Sequence, residues 1–267
     1  MRPQPPSRRA VVLLAAGSGR RMLPLTEEVP KALLPIEGEG RGRTVLEAMI
    51  DSVMSSGARD IVVVTGFAGE RVESHLARRY GDRVRCVRNT RWAEDVNIAS
   101  VSCGVGALRQ PERGYLVVET DLLLDRVAWS ALFDVIDTDP GSFWVCRGRY
   151  GVERTGGVVH AGADERIDVV DYRPTYDPNC EGWPKMLGML AVGPAQVRAD
   201  IALRAMAMQE SIRQYYLMPW KHGLHRLCAR VLALEVGFAA TFNTVPEFEA
   251  ACRAYQVRAE RAVALSF

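Results

Sequence analysis

The sequence predicts an α/β protein in which a mostly parallel mixed sheet lies between two helical layers, a three-layer αβα sandwich. Three observations carry that expectation. Short continuous apolar runs such as Val11–Ala16 and Ile61–Thr65 have the unbroken hydrophobicity of strands buried on both faces. Segments with helical spacing stand between them: in Thr44–Ser56, residues Val45, Leu46, Met49, Ile50 and Val53 fall on one face. The two kinds of segment alternate, which is the pattern of strands joined by crossover helices.

Taken in order, strands are expected at Val11–Ala16, Ile61–Thr65, Val84–Val87, Tyr115–Glu119 and Phe143–Cys146. Helices are expected at Thr44–Ser56 with Gly57 as its stop, at Glu70–Tyr80, and at Asp125–Thr138, closed by Asp139-Pro140-Gly141. The remainder is less regular. Gly156–His160 and Arg166–Asp171 read as a hairpin, and Tyr172–Pro184, rich in Pro, Asp, Asn and Gly, as a loop. Met186–Val192 reads as a strand, Arg204–Tyr216 and His222–Arg230 as helices, Val231–Glu235 as a strand and Val245–Tyr255 as a closing helix. Residues 1–9, rich in Pro and Arg, read as a disordered tail. No repeat or low-complexity linker interrupts 10–267, so that stretch reads as one domain.

Composition narrows the class. The chain has 267 residues, 48% hydrophobic and 25% charged, enough to bury a sizeable core. A formal net charge of +2 exerts no global pull on nucleic acid or membrane, so any anion site must be local. The six cysteines, at 86, 103, 146, 180, 228 and 252, form no CxxC pair and read as thiols of a cytoplasmic protein. No apolar run approaches the ~18 residues that span a bilayer. Arg8-Arg9 before Val11–Ala16 imitates a secretion signal, but the run is short for an apolar region of about 7–15 residues.

The informative stretch runs from Leu14 to Ile36: LAAGSGRRMLPLTEEVPKALLPI. A buried strand ends in a Gly-rich turn at Gly17-Ser18-Gly19, and glycines let a backbone present its N–H groups closely to a ligand. Open α/β sheets bind ligands at the carboxyl ends of their strands. Arg21 and Lys31 follow at short intervals, and fixed cations beside an N–H cradle suit a polyphosphate. A Walker A loop is excluded because the chain has no Gly-Lys dipeptide. A dinucleotide fingerprint is excluded because Met22 stands where its third glycine belongs. A surface loop with incidental Arg and Lys would explain Gly-Ser-Gly alone, but not the whole ordered pattern.

That pattern, Gly-x-Gly-x-Arg, then Pro-x-Thr, then Pro-Lys-x-Leu-x-Pro-Ile, resembles the signature of the sugar-phosphate nucleotidyltransferase-fold family. The resemblance implies the nucleotide-diphospho-sugar transferase-like sandwich and an in-line displacement. In that reaction an acceptor's phosphate oxygen attacks the α-phosphorus of an NTP and pyrophosphate leaves. Carried onto this chain, it implies that Ala15, Ala16, Gly17, Ser18 and Gly19 line the NTP, that Arg21 holds the departing pyrophosphate, and that Lys31 neutralises the α-phosphate. Asp121, at the end of strand Tyr115–Glu119, stands where the family holds Mg²⁺, with Glu119 replacing the first Asp of an Asp-x-Asp. Asn243 is the candidate second ligand, with a helix cap as its alternative role.

The middle of the chain narrows the resemblance. Asn89, Asn97 and Ser100 match an Asn…Asn-x-x-Ser stretch of the CTP:phosphocholine and phosphonate cytidylyltransferase-like branch, where this segment helps hold the nucleotide. Gly66 would there pass close to the base. The resemblance thus implies CTP as the NTP and a small phosphorylated or phosphonate acceptor, and it leaves room for a homodimer. It makes 10–149 the nucleotide-binding half and 150–267 the acceptor-binding half. Lys185 is expected as a cation for the acceptor phosphate, with a solvated lysine as the alternative. Glu153 and Arg154 are expected to border the acceptor pocket, and Tyr215, Tyr216, Trp220 and Lys221 to cap it. Arg147, Arg149, Arg154 and Lys185 lean toward an anionic acceptor. His222 and His225 read as helix surface rather than a zinc site, and Phe143, Trp144 and Phe242 as core. The competing readings are a sugar-1-phosphate nucleotidyltransferase using UTP, dTTP or GTP, and a catalytically silent nucleotide-binding relative.

Overall fold

Strand β1 (Ala10–Ala15) lies at the centre of the sheet and is buried on both sides, as its unbroken apolar run requires. Residues Val11, Leu13 and Ala15 enter one core, and Val12, Leu14 and Ala16 the other. The computed structural model describes residues 10–36 and 42–264, with side chains through Arg258. The tail expected at 1–9 lies outside the described residues.

On one side of β1 run β2 (Asp60–Thr65) and β3 (Arg85–Arg88), both parallel to it in succession. On its other side lies β4 (Tyr115–Glu119), also parallel, with Val11 opposite Leu116. After the short β5 (Leu122–Leu124) comes β6 (Ser142–Arg149), then a hairpin of β7 (Gly156–Ala161) and β8 (Ile167–Arg173). Strand β9 (Pro184–Val192) inserts antiparallel between β4 and β6, and β10 (Ala229–Ala233) pairs parallel with the far edge of β6. The order is β10-β6-β9-β4-β1-β2-β3, a mostly parallel sheet that draws strands from both sides of residue 150. A separate two-stranded ribbon pairs β5 with β11 (Ala239–Thr241). At three residues each, these strands are too short to leave a sequence pattern.

Helices α1 (Val45–Ser55), α2 (Gly69–Tyr80), α3 (Ile98–Gly106) and α4 (Arg126–Thr138) follow the early strands. The expected starts are explained by caps. Thr44 accepts from the Glu47 N–H at 3.2 Å while Glu47 reaches back to the Thr44 N–H at 2.8 Å. Asp125 likewise accepts from the Ala128 N–H at 2.9 Å. Helix α3 was not expected, because its IASVSCGVG sequence has poor helix propensity. Close packing stabilises it instead: a Cβ on Gly104 would lie 2.2 Å from Val12 Cγ1, so only glycine admits this approach to β1.

The second half corrects three expectations. The helix expected over Arg204–Tyr216 is α5, Val197–Glu210. Its buried face carries Asp200 and Arg204, so hydrophobic periodicity misplaced it. The helix expected over His222–Arg230 is α6, Met218–Gly223, which starts with Pro219 in its first turn. The chain from Ala229 is already strand. The closing helix α7 runs on to Ala264. His222 and His225 are exposed, and Phe143, Trp144 and Phe242 are core. Among the described residues, no helix is long and apolar enough to cross a membrane.

A buried polar cluster pins α5 and α6 to the sheet. Asp200 accepts from the Tyr115 hydroxyl, from the Arg204 guanidinium and from the Trp220 indole N–H, the last at 2.8 Å. Arg204 also donates to the Tyr115 hydroxyl at 2.9 Å. Removing one member of a buried ion pair leaves the other charge without compensation. Asp200→Ala is therefore expected to lower stability by about 3–5 kcal/mol, read as a shift of the denaturation midpoint.

Candidate active site

Strands β1 and β4 are parallel neighbours, so their carboxyl ends open side by side, and the chain leaving each strand builds one wall of the site. After β1 the backbone turns at Gly17-Ser18-Gly19. Gly19 adopts φ 64°, and a Cβ there would press on Thr26 Cγ2 at 3.0 Å. The buried Thr26 hydroxyl donates to the Gly19 carbonyl at 2.8 Å, which accounts for the threonine of Pro24-Leu25-Thr26. A Cβ on Gly17 would meet nothing within 4 Å, so the turn presents open backbone to the cleft. Ala15 and Ala16 are buried with their side chains in the two cores, and the Ala16 carbonyl accepts from the Phe67 N–H at 3.0 Å. Only their backbone can border a ligand.

The turn after β4 is equally constrained. Thr120 donates its hydroxyl to the Leu14 carbonyl at 2.8 Å, and the Asp121 carbonyl accepts from the Phe242 N–H at 2.9 Å. Asp121 is thereby held between β1 and the chain leaving β11. Lys31 reaches it from the first wall: its Nζ lies 3.3 Å from Asp121 Oδ2, donates to the Phe242 carbonyl at 2.7 Å, and sits 4.8 Å from the centre of the Phe242 ring. Arg21 donates to Asn243 Oδ1 at 2.6 Å. The Asn243 backbone N–H donates to Glu247 Oε2 at 2.6 Å at the start of α7, while its side chain makes no cap bond. Thr244 and Glu247 share the start of α7, with Glu247 accepting from the Thr244 N–H at 3.1 Å, and Asn243 is left to orient Arg21. Arg21, Lys31, Asp121 and Asn243, spread over more than two hundred positions, thus meet at one place.

Glu119 points to the opposite face of the sheet. Its Oε1 accepts from Asn97 Nδ2 at 3.3 Å, and Oε2 lies 3.0 Å from where a Cβ on Gly188 would stand, which only the glycine of β9 permits. Burial, and then the neighbouring Asp121 carboxylate, push its carboxyl up to about 8, against the pull of Lys185, Lys31 and Arg21. Burial lowers Lys185, and Glu119 opposes that effect. Asp121, Glu119 and Asn243 carry hard oxygen donors of the kind Mg²⁺ takes, with Asp121 Oδ2 paired to Lys31 and Asn243 Oδ1 to Arg21.

Several expected contacts have other duties. Ser100 is buried and its hydroxyl is engaged within the protein, donating to Asp95 Oδ2 at 2.7 Å and accepting from Asn89 Nδ2 at 2.9 Å. Gly66 is required by protein packing: a Cβ there would stand 2.6 Å from the Ala16 carbonyl and from Trp92 Cβ. Trp220 is fully buried, edge-on to Trp144 and bonded to Asp200, so it belongs to the core and not to a pocket cap. The ring of Tyr215 lies 4.2 Å from that of Tyr172, which belongs to β8 and not to the expected loop. Lys221 is paired with Asp171 at 2.6 Å. Arg147 is spent on the carbonyls of Leu234, Val236 and Gly237. Arg149 is exposed and donates to the Gly182 carbonyl at 3.3 Å. Glu153 and Arg154 lie in an exposed turn, with the Arg154 guanidinium drawn over Gly148. Of the four cations expected for the acceptor, Lys185 is the one set in the cleft beside Glu119.

The raised Glu119 carboxyl makes a pH prediction. The folded chain holds this proton more tightly than the unfolded chain, whose glutamate titrates near 4.5. The resulting stabilisation is full below about pH 4.5 and is lost as pH rises through about 8. Glu119→Gln removes this dependence. In chelator, the variant is expected to melt several degrees above the parent near pH 8.5 and to converge with it below about pH 5.

Comparison with known proteins agrees with this geometry. Residues 11–220 match the model of the MobA-like NTP transferase domain. A 2-aminoethylphosphonate cytidylyltransferase of Lancefieldella rimae is 34% identical over 113 residues, 42% of this chain and 43% of the relative. A choline-phosphate cytidylyltransferase of Streptococcus pneumoniae is 33% identical over 90 residues, 34% of this chain and 36% of the relative. The chain therefore matches less than half the length of either curated relative. Among solved structures, the CTP:phosphocholine cytidylyltransferase of Streptococcus pneumoniae superposes with a TM-score of 0.73 at 19% identity, covering 93% of this chain and 98% of the other. The inositol-1-phosphate CTP transferase of T. maritima superposes with a TM-score of 0.70 at 13% identity, covering 93% and 97%. The sandwich is that of the nucleotide-diphospho-sugar transferases, and the chain belongs to the MobA-like NTP transferase domain family.

Proposed function

We propose that the protein is a Mg²⁺-dependent nucleotidyltransferase that transfers CMP from CTP to a small acceptor bearing a phosphate or phosphonate, releasing pyrophosphate. The observation that carries this reading is the meeting of the open Gly17 turn, Arg21, Lys31 and Asp121 at the adjoining ends of β1 and β4. Phosphoryl and nucleotidyl transfers need positioning and charge neutralisation more than a protein nucleophile, and this site offers those. The backbone of Gly17-Ser18-Gly19 holds the NTP phosphates. Lys31, aimed by the Phe242 carbonyl, neutralises the α-phosphate, and Arg21, aimed by Asn243, holds the leaving pyrophosphate. An acceptor oxygen forms a bond to the α-phosphorus as the bond to the β-phosphate oxygen breaks. Asp121, with Glu119 and Asn243 near it, would hold Mg²⁺, which when bound offsets charge on the phosphates.

The acceptor enters beside Glu119, where Lys185 supplies positive charge and Tyr172 and Tyr215 a flat wall. CTP is favoured by the two cytidylyltransferase relatives. A second reading, UTP with a sugar 1-phosphate, has its own support. A UTP–glucose-1-phosphate uridylyltransferase of Haloferax volcanii is 36% identical over 69 residues, though these are only 26% of this chain.

Pyrophosphate release measured with each of the four NTPs, against choline phosphate, 2-aminoethylphosphonate, a polyol phosphate and glucose 1-phosphate, separates the two. Release with CTP and a phosphonate or non-sugar phosphate is expected, and release confined to UTP with glucose 1-phosphate overturns the choice. Lys31→Ala and Asp121→Ala are each expected to lower turnover by about 10²–10³-fold, the scale set by losing one preorganised charge at a reacting centre. Circular dichroism should show both variants folded. Full turnover in both would remove the proposed mechanism.

A further inference from the structure

The segment between α5 and α6, residues 211–217, carries Tyr215, which the proposed function sets beside the acceptor, and it pairs with no strand. It is held by its neighbours. Tyr215 meets Tyr172, Tyr216 stacks on Trp144 at 5.6 Å, and the Ile212 carbonyl accepts from the Val96 N–H at 3.4 Å. Ile212 also packs on Ile98 and Ala99, and Gln214 donates to the Ala207 carbonyl at 2.6 Å; the tie that reaches β4 is Asn97. Its Oδ1 accepts from the Tyr216 backbone N–H at 2.8 Å, while its Nδ2 donates to Glu119 Oε1 at 3.3 Å.

Asn97 is free to do this because another residue does the work expected at its position. It stands directly before α3, where Asn is a favoured cap, but its side chain makes no cap bond. Asp95 serves instead, accepting from the Ala99 N–H at 3.0 Å and the Ser100 N–H at 2.8 Å. Asn89 steadies Asp95 through a bond of 2.9 Å. The carboxamide of Asn97 is thus released toward the cleft, and its orientation is dictated at both ends. An inverted amide would set its NH₂ against the Tyr216 N–H, donor to donor, and its oxygen against Glu119.

We propose that Asn97 is a positioning residue that locks the Tyr215-bearing wall of the acceptor cleft to Glu119 at the end of β4, and that it makes no contact with the nucleotide. The inference rests on the cytidylyltransferase reading above for the words acceptor and nucleotide, but the lock itself stands on the two hydrogen bonds. It separates the duties within the Asn89–Ser100 segment: Asn89, Asp95 and Ser100 build the helix start, and Asn97 aligns the two sides of the cleft.

The test uses the full chain with Asn97→Ala and Asn97→Asp. The alanine variant removes both bonds, whereas the aspartate variant keeps an oxygen for the Tyr216 N–H. In Asn97→Ala, hydrogen exchange at the Tyr216 amide is expected to quicken by about tenfold, the equivalent of one hydrogen bond of about 1.4 kcal/mol. The KM for the acceptor is expected to rise by about tenfold, with calorimetric affinity for Mg²⁺–CTP within about twofold of the parent. In Asn97→Asp the Tyr216 amide is expected to stay protected. Unchanged exchange in the alanine variant, lost protection in the aspartate variant, or CTP affinity weakened tenfold while Tyr216 stays protected would each overturn the proposal. If the alanine variant does not fold, the aspartate variant still decides it. Absence of acceptor-dependent pyrophosphate release from the parent protein would instead refute the functional reading, and the exchange measurement would still judge the lock.

Discussion

The parallel pairing of β1 with β4 is the constraint on which the site depends. It brings the ends of two strands more than one hundred residues apart into register, so that the turn after each opens on the same crevice. The Thr120 hydroxyl on the Leu14 carbonyl then ties the second turn to the first strand. Everything with chemical potential hangs on that frame: the Gly17 turn on one side, Asp121 on the other, Lys31 and Arg21 between them. Because both strands are buried on two faces, a register shift would exchange the side chains packed in the two cores and break the fit of both. The geometry of the cations is therefore inherited from core packing.

The two faces of the sheet divide the labour. Asp121, Lys31, Arg21 and Asn243 gather on the side closed by the β5–β11 ribbon and α7, where Phe242 fills the core. Glu119, the last residue of β4 before the turn at Thr120-Asp121, projects toward α3 and the segment before α6, near Asn97, Lys185 and Tyr216. The Asp121 carboxylate helps to hold the Glu119 carboxyl up, yet each side chain answers to a different wall. Lys31 and Arg21 on one wall and Lys185 on the other all act on Glu119, which links the two walls by simple electrostatics.

The sequence made the first half legible because its strands are continuous apolar runs and its helices carry clean caps and periodic faces. The phosphate-side residues were legible too, since Arg21, Lys31 and Thr26 sit within one ordered motif whose spacing has a physical cause. What was not legible has a common origin in polar burial. Helix α5 turns Asp200 and Arg204 inward, so a reading that equates polar with outside shifts the helix by several residues. The same assumption sent Trp220 to the pocket, because its partner, Asp200, lies twenty positions away. Helix α3 escaped notice because Gly104, unfavourable for a helix in isolation, is what lets it touch β1. Ser100 looked like a ligand contact because no local pattern reveals that Asn89 and Asp95 already saturate it.

The antiparallel insertion of β9 has a consequence for how the molecule is assembled during synthesis. Strands β4 and β6 are both made before residue 150, but they do not touch; each pairs with β9, and β10 pairs only with β6 among the strands of that sheet path. A nascent chain that has delivered everything up to Arg149 therefore holds three strand edges without their partners, one on β4 and both on β6. The two that face each other stay open until residues 184–192 emerge and slot between them, and the outer edge of β6 until residues 229–233 follow. The keystone of the sheet is among its last strands to appear, which sets a long-range contact as the step that closes the fold and exposes those edges to mispairing until it arrives.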